Sequence, residues 1–174
     1  EDLGTALLYN FTKGYGKHVP IELYDLVLPL LYNDTFREDI MNFDTIEACL
    51  QACSQKEKHF KQNILTAIED DKTMTSKALG VAMLQKILQF QIVEQTMCGI
   101  ANKTSILDLN EAIKLGEMLQ SRTIDDIMTL LKQEDFHIVV LQSASVGKDV
   151  DLSMIETLGN VVMYEDTRED QVRG

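Results

Sequence analysis

The residue types able to do chemistry are few and scattered. Cys49 and Cys53 stand four apart, a spacing that puts two thiols on one face of a helix, where a His such as His59 would begin a zinc site. Buried thiols also serve as small apolar residues, and that reading carries more weight here. His18, His59 and His137 lie far apart, and none has the spacing of a metal pair. Glu69-Asp70-Asp71-Lys72 has the residue types of a metal-dependent nuclease. Such carboxylates need separated positions on strands, whereas this run falls between two helical patterns, where a solvated turn is expected. Gly147-Lys148 resembles the end of a phosphate loop but lacks the spaced glycine before it and the Ser or Thr after it. Ser143 and Ser145 have no His or Asp placed by a recognisable nucleophile motif. Lys56, Lys58 and Lys61 read as one solvated helix face. The expectation is a protein without catalytic residues, metal ligands, cofactor or small-molecule substrate.

The elements that would position these residues are mostly helical. Leu7, Leu8, Phe11 and Tyr15 keep close to helical spacing from Leu3 to Tyr15, with Gly14 and Gly16 as stop signals. Pro20 suits the first turn of a second helix, 21–31, which is apolar on nearly every side and must be buried or cover a partner. Pro29 predicts a kink or an end near Leu28. Asp44 with Glu47 reads as a capping box for a helix with the stripe Ile46, Cys49, Leu50, Cys53. Phe60, Ile64, Leu65 and Ile68 continue an apolar face, and a further helix is predicted from Thr75 to Phe90 with Leu84, Ile87 and Leu88 in its stripe. A hairpin follows through Ile92, Val93 and Cys98-Gly99-Ile100. Asp108 with Glu111, and Thr123 with Asp126, cap two last helices.

Near Gln133 the pattern changes. Phe136 to Leu141 and Val161 to Tyr164 are short apolar, β-branched runs around a short helix capped by Ser153 and Glu156. The predicted class is mainly α, with a helical, winged-helix-like domain over 1–133 and a small β-α-β appendage with an acidic tail over 134–174. Two strands cannot close a sheet of their own, so the appendage is expected to dock.

Composition agrees with that plan. The chain has 174 residues, 45% hydrophobic and 25% charged, with only 9 Gly and 2 Pro, too few for a fold made of tight turns. Its formal net charge is −12, and residues 134–174 hold nine acidic residues against three basic ones. Acidity works against wrapping a phosphate backbone and favours a basic protein partner. Three cysteines suggest no disulfide framework, and no apolar run approaches the length of a membrane span, so the cytoplasm is expected. Asn10, Asn33 and Asn102 head glycosylation acceptor patterns and read as chance matches.

A more specific signal lies in the pieces Phe11-Thr12-Lys13-Gly14-Tyr15, Val19-Pro20 and Leu26-Val27-Leu28-Pro29-Leu30, with Arg37 after a polar turn. Thr75 to Leu79 leading into a hairpin, and Ala112-Ile113-Lys114-Leu115-Gly116, agree with it. Over residues 3–131 the chain resembles the middle component of three-component ABC-ATPase systems. The resemblance implies a non-catalytic accessory subunit that bridges an SMC-like ABC ATPase and an effector, often a nuclease, in Lamassu-type defence against phages and plasmids. DNA would be met only through that complex. The alternative is a winged-helix DNA-binding transcriptional regulator, against which the net charge argues. Partner contacts are expected from Tyr9, Phe11, Tyr15, Tyr24, Leu28, Leu31, Val140 and Tyr164.

Overall fold

The computed structural model describes residues 3–133, which belong to a compact unit spanning Glu1–Asp135. The β-α-β appendage expected over 136–164, with Val140 and Tyr164, lies outside the described residues. Eight α-helices and a small sheet make up the described part, a mainly α fold.

The first helix, α1 (Leu3–Tyr15), is apolar around most of its circumference, and ten of its 13 residues are buried. A helix of that kind is stable only when surrounded. It packs most extensively on α7 (Asn110–Met118) and also touches α2 (Tyr24–Leu31), α6 (Lys72–Leu84) and the strand β3 (Thr96–Ala101). The contact with α7 is backbone against backbone. A Cβ on Gly14 would fall inside the Ile113 carbonyl, and one on Gly116 would overlap the Phe11 carbonyl oxygen and sit 2.6 Å from the Tyr15 nitrogen. Gly14 therefore lies within α1 and serves this approach, and Gly16, at φ +79°, supplies the left-handed turn that ends the helix.

Pro20 closes a two-residue strand, β1 (Val19–Pro20), and a 3-10 turn, Ile21–Leu23, leads into α2. Pro29 does not end α2, which runs on to Leu31. A short helix that periodicity did not reveal, α3 (Asp34–Asp39), follows, capped by the Asn33 side chain, which accepts from the Phe36 amide. In α4 (Ile46–Lys56) the cap is Thr45, one residue after the expected Asp44, and the stripe Ile46, Cys49, Leu50, Cys53 is buried. Helix α5 (Phe60–Asp70) takes in Glu69 and Asp70, so the expected solvated turn shrinks to Asp71.

Helix α6 stops at Leu84, six residues short of the predicted Phe90. Lys86 adopts φ 61°, its amide donates to the Met83 carbonyl and the Ile87 amide to the Ala82 carbonyl, which is the Schellman geometry that usually takes glycine. Ile87 and Leu88 are buried beyond the helix, and Leu84 is 80% exposed. The hairpin then forms from β2 (Leu88–Val93) and β3, turning at Glu94-Gln95 with φ 51° and 69°. These two left-handed residues give the primed turn that matches strand twist. The antiparallel order is β1-β3-β2, with Val19 opposite Gly99 and Gly99 opposite Phe90. Gly99 is required because a Cβ there would overlap the Tyr24 hydroxyl. The Tyr24 ring meets Phe11 and Phe90 edge-on at 5.9 and 6.4 Å, so one side chain joins the sheet to α1.

Asp108 does not cap α7. It pairs with Lys13 on α1 at 2.5 Å, while the Asn10 amide donates to the Leu107 carbonyl, and together these hold residues 102–109 along α1. Thr123 and Asp126 form the expected reciprocal capping box of α8 (Ile124–Lys132), which packs on α5.

Two glycine substitutions separate close approach from flexibility. Gly116→Ala must push α7 off α1, and we expect a loss of several kcal/mol, in the range of a disrupted core. Gly80, inside α6, has nothing within 4 Å of an added Cβ. Gly80→Ala is expected to stabilise the protein by about 0.5–1 kcal/mol through helix propensity. Urea unfolding of the two variants beside the parent reads both effects.

Candidate functional site

Six of the residues expected to contact partners are core residues. Phe11, Tyr24 and Leu28 are fully covered, Leu31 is 1% exposed, and Tyr9 and Tyr15 are 4% and 5% exposed. The Tyr24 hydroxyl is engaged inside the protein. It lies 2.6 Å from that of Thr12, which bonds the Leu8 carbonyl, and burial holds the Tyr24 phenol well above its usual pKa. The all-round apolar character of α1 and α2 is thus spent largely within the fold.

The residues weighed for chemistry do not converge. Cys49 and Cys53 are fully buried against Asp39, itself 4% exposed, whose carboxylate takes a 2.7 Å bond from Lys56. A hydrogen bond to Cys49, burial and the Asp39 charge all push the Cys53 thiol up, away from the thiolate that metal binding or nucleophilic attack needs. His18 lies against Gln91, and His59 precedes α5 in a left-handed conformation. Among the described residues no three His, Cys, Asp or Glu side chains are grouped so as to hold a metal ion. Lys56 is tied to Asp39, so the stretch Lys56, Lys58, Lys61 is not a uniform basic face. Asn10 is buried, Asn33 caps α3 and Asn102 donates to the Lys86 carbonyl.

What the fold does present is the outward side of α6 and the hairpin after it. Thr75, Ala78 and Ala82 form the inner face of α6 and are buried. On the flank beside them Asp70, Thr73, Met74, Lys77, Ala78 and Val81 line an open groove of about 550 Å3. Leu84 continues that flank. The hairpin carries its core-facing row outward past the helices. Leu88 and Phe90 pack inside, but the next residue in that row, Ile92, is 70% exposed beside its cross-strand partner Met97 at 42%. Ile21, which follows the Pro20 paired with Cys98, adds a third exposed apolar side chain at 38%. The expectation that Leu84 belongs to a core stripe concealed this surface. The signal that would have found it is the spacing 70, 74, 77, 81, 84.

One end of the groove is acidic. Asp25 of α2 is half-buried, and its carboxyl is pushed up by that burial and further by Glu22 and Glu69, while Lys72 alone pulls it down. Asp71 is pushed up by burial and by Asp70. A nearby cation, Lys72, is 3.4 Å from Glu69.

A raised carboxyl sets a sign for the pH dependence of stability. The folded state binds the Asp25 and Asp71 protons more tightly than the unfolded chain. Stability therefore falls as pH rises from the ordinary carboxyl range through the raised folded values. Asp25→Asn removes one such group, so this variant should melt higher than the parent at pH 7 and lose part of that advantage at pH 4. Thermal melts at both pH values decide it, and a lower melting point at pH 7 would contradict the electrostatic assignment.

No helix among the described residues is long and apolar enough to cross a membrane. No curated protein and no solved structure matches the chain. A family model does, over residues 3–132, which takes in every described helix and the sheet. Both glycines of the α1–α7 contact and the α6 flank lie inside that match, and the chain belongs to the family of Middle Component 3 of ABC-three component (ABC-3C) systems.

Proposed function

We propose that this protein is a non-catalytic accessory subunit that bridges an SMC-like ABC ATPase and an effector, a nuclease by preference, in anti-phage and anti-plasmid defence of the Lamassu kind. It works in the cytoplasm and meets DNA through the assembled complex. The observation that carries this reading is the family match over the whole helical body, because a middle component acts among other proteins. The exposed surface supports it. The α6 flank and the hairpin tip offer Met74, Leu84, Ile92 and Met97, side chains that gain free energy when covered by protein.

The DNA-binding regulator has one observation in its favour. A strand after the first helix, a hairpin after a later helix and the order β1-β3-β2 follow the plan of a winged helix, with α6 in the place of the recognition helix. The side chains are of the wrong kind for it. Between Lys86 and Lys103 the hairpin carries no Lys or Arg and one acid, Glu94. A wing that grips phosphate needs cations, and the groove along α6 sets a single lysine, Lys77, among Asp70, Thr73, Met74, Ala78 and Val81. We infer a winged-helix-like arrangement whose recognition surface has been given over to protein.

The purified full-length chain is expected to hydrolyse no ATP, to cut no plasmid DNA and to bind duplex weakly at both low and physiological salt. Co-expressed with the ATPase and effector components of its own system, it should co-purify with them as a complex stable to gel filtration. Nuclease or ATPase turnover that follows the purified chain through successive columns would overturn the reading, as would tight, steeply salt-dependent duplex binding.

A further inference from the structure

We propose that the outward flank of α6 is the seat of an amphipathic α-helix from a partner protein, a helix whose end beside Asp70 is basic and which carries an acidic side chain to meet Lys77. The inference rests on the accessory-subunit reading and names what that surface receives. Met74, Lys77, Val81 and Leu84 recur at steps of three, four and three residues along α6, and Asp70, at the end of α5, stands before them. That alternation is the seam on which a second helix seats with side chains interdigitating, at a shallow crossing angle. In the described fold the seam carries no helix; Asp70, Met74, Lys77 and Val81 line the open groove, and Met74 and Leu84 are 39% and 80% exposed. A row of apolar side chains at helical spacing, broken by one cation, favours an occupant with a matching helical row.

Charge decides among occupants. At the Asp70 end stand Glu22, Asp25, Glu69, Asp70 and Asp71, with Lys72 beside them, and at mid-seam stands Lys77. A second copy of this chain is a poor fit. Antiparallel self-pairing about the seam's centre sets Lys77 against Lys77, and parallel pairing adds Asp70 against Asp70. The chain's own residues 134–174 are a poor fit as well, because their nine acids against three bases would be brought to an acidic end. A basic-ended helix from another protein satisfies both ends of the seam.

The test uses the full-length chain co-expressed with the ATPase and effector components of its system. Met74→Asp and Lys77→Glu change exposed positions, so their melting should stay close to the parent's. Each is expected to reduce the co-purified partner at least about ten-fold, the loss that follows when a charge is left unpaired in a packed seam. A Leu84→Cys variant, labelled with a benzophenone maleimide, then locates the occupant, since Cys49, Cys53 and Cys98 are buried and react slowly. Cross-links on the partner should recur every three or four residues, and reversing an acidic residue there should restore capture by Lys77→Glu. If the parent is captured and both variants are captured equally well, the seam proposal is wrong and the accessory reading stands. Cross-links confined to residues 134–174 or to a second copy also overturn it. If the parent itself is captured by neither component, the accessory reading fails and the seam falls with it.

Discussion

Where α1 crosses α7, neither helix has a side chain at the point of contact. Gly14 lies against the Ile113 carbonyl and Gly116 against the backbone from Phe11 to Tyr15, so the helix axes come closer than any Cβ would permit. Such an approach brings many atoms of both helices into van der Waals range, each contact small and their sum large. It also fixes the rest. With α7 seated there, the Phe11 ring meets those of Tyr15 and Tyr24, and Tyr24 in turn reaches Phe90 across Gly99. A chain of rings thus runs from the central helix to the sheet, and its last link, Tyr24 to Phe90, needs the missing Cβ of Gly99.

Two of the sequence pieces that carry the family resemblance, Phe11 to Tyr15 and Ala112 to Gly116, turn out to be the two sides of this one contact. Their residue types answer to packing. The large apolar residues of α1 and α2 are consumed in surrounding the central helix, and this leaves α6, built on its inner face from Thr75, Ala78 and Ala82, free to show a different chemistry on its flank. Small residues inside and mixed ones outside mean that the flank can vary in sequence without disturbing the core.

Much of the fold could be read from periodicity, because α1, α4, α5, α7 and α8 each place an apolar stripe on one buried face. The failures share a cause. Helix α6 was carried too far because its stop is Lys86, a residue that gives no sign of adopting a left-handed conformation, and the hairpin turn is likewise made by Glu94-Gln95 where Asn-Gly would have announced it. Helix α3 escaped because six residues are too few to show a period, although Asn33 marks its start. The Asp108 cap was a sound local inference overruled at long range by Lys13. As for the surface, sequence identifies apolar residues but not their fate. Leu28 and Leu84 look alike in the chain, and only the packing of α1 makes one a core residue and leaves the other in solvent.

The separation of the two glycines along the chain has a temporal side. Gly14 leaves the ribosome about a hundred residues before Gly116, and at about 5–20 residues per second that is an interval of roughly 5–20 s. Helices α2 and α6 can gather around α1 in that time, but its α7 side stays open until nearly the whole body has been made. Contacts this distant in sequence form late because the loop between them must close first. The nascent protein therefore holds an apolar groove that only its own next-to-last described helix fills, and a message cut short before α7 would leave that groove permanently exposed to chaperones and proteases.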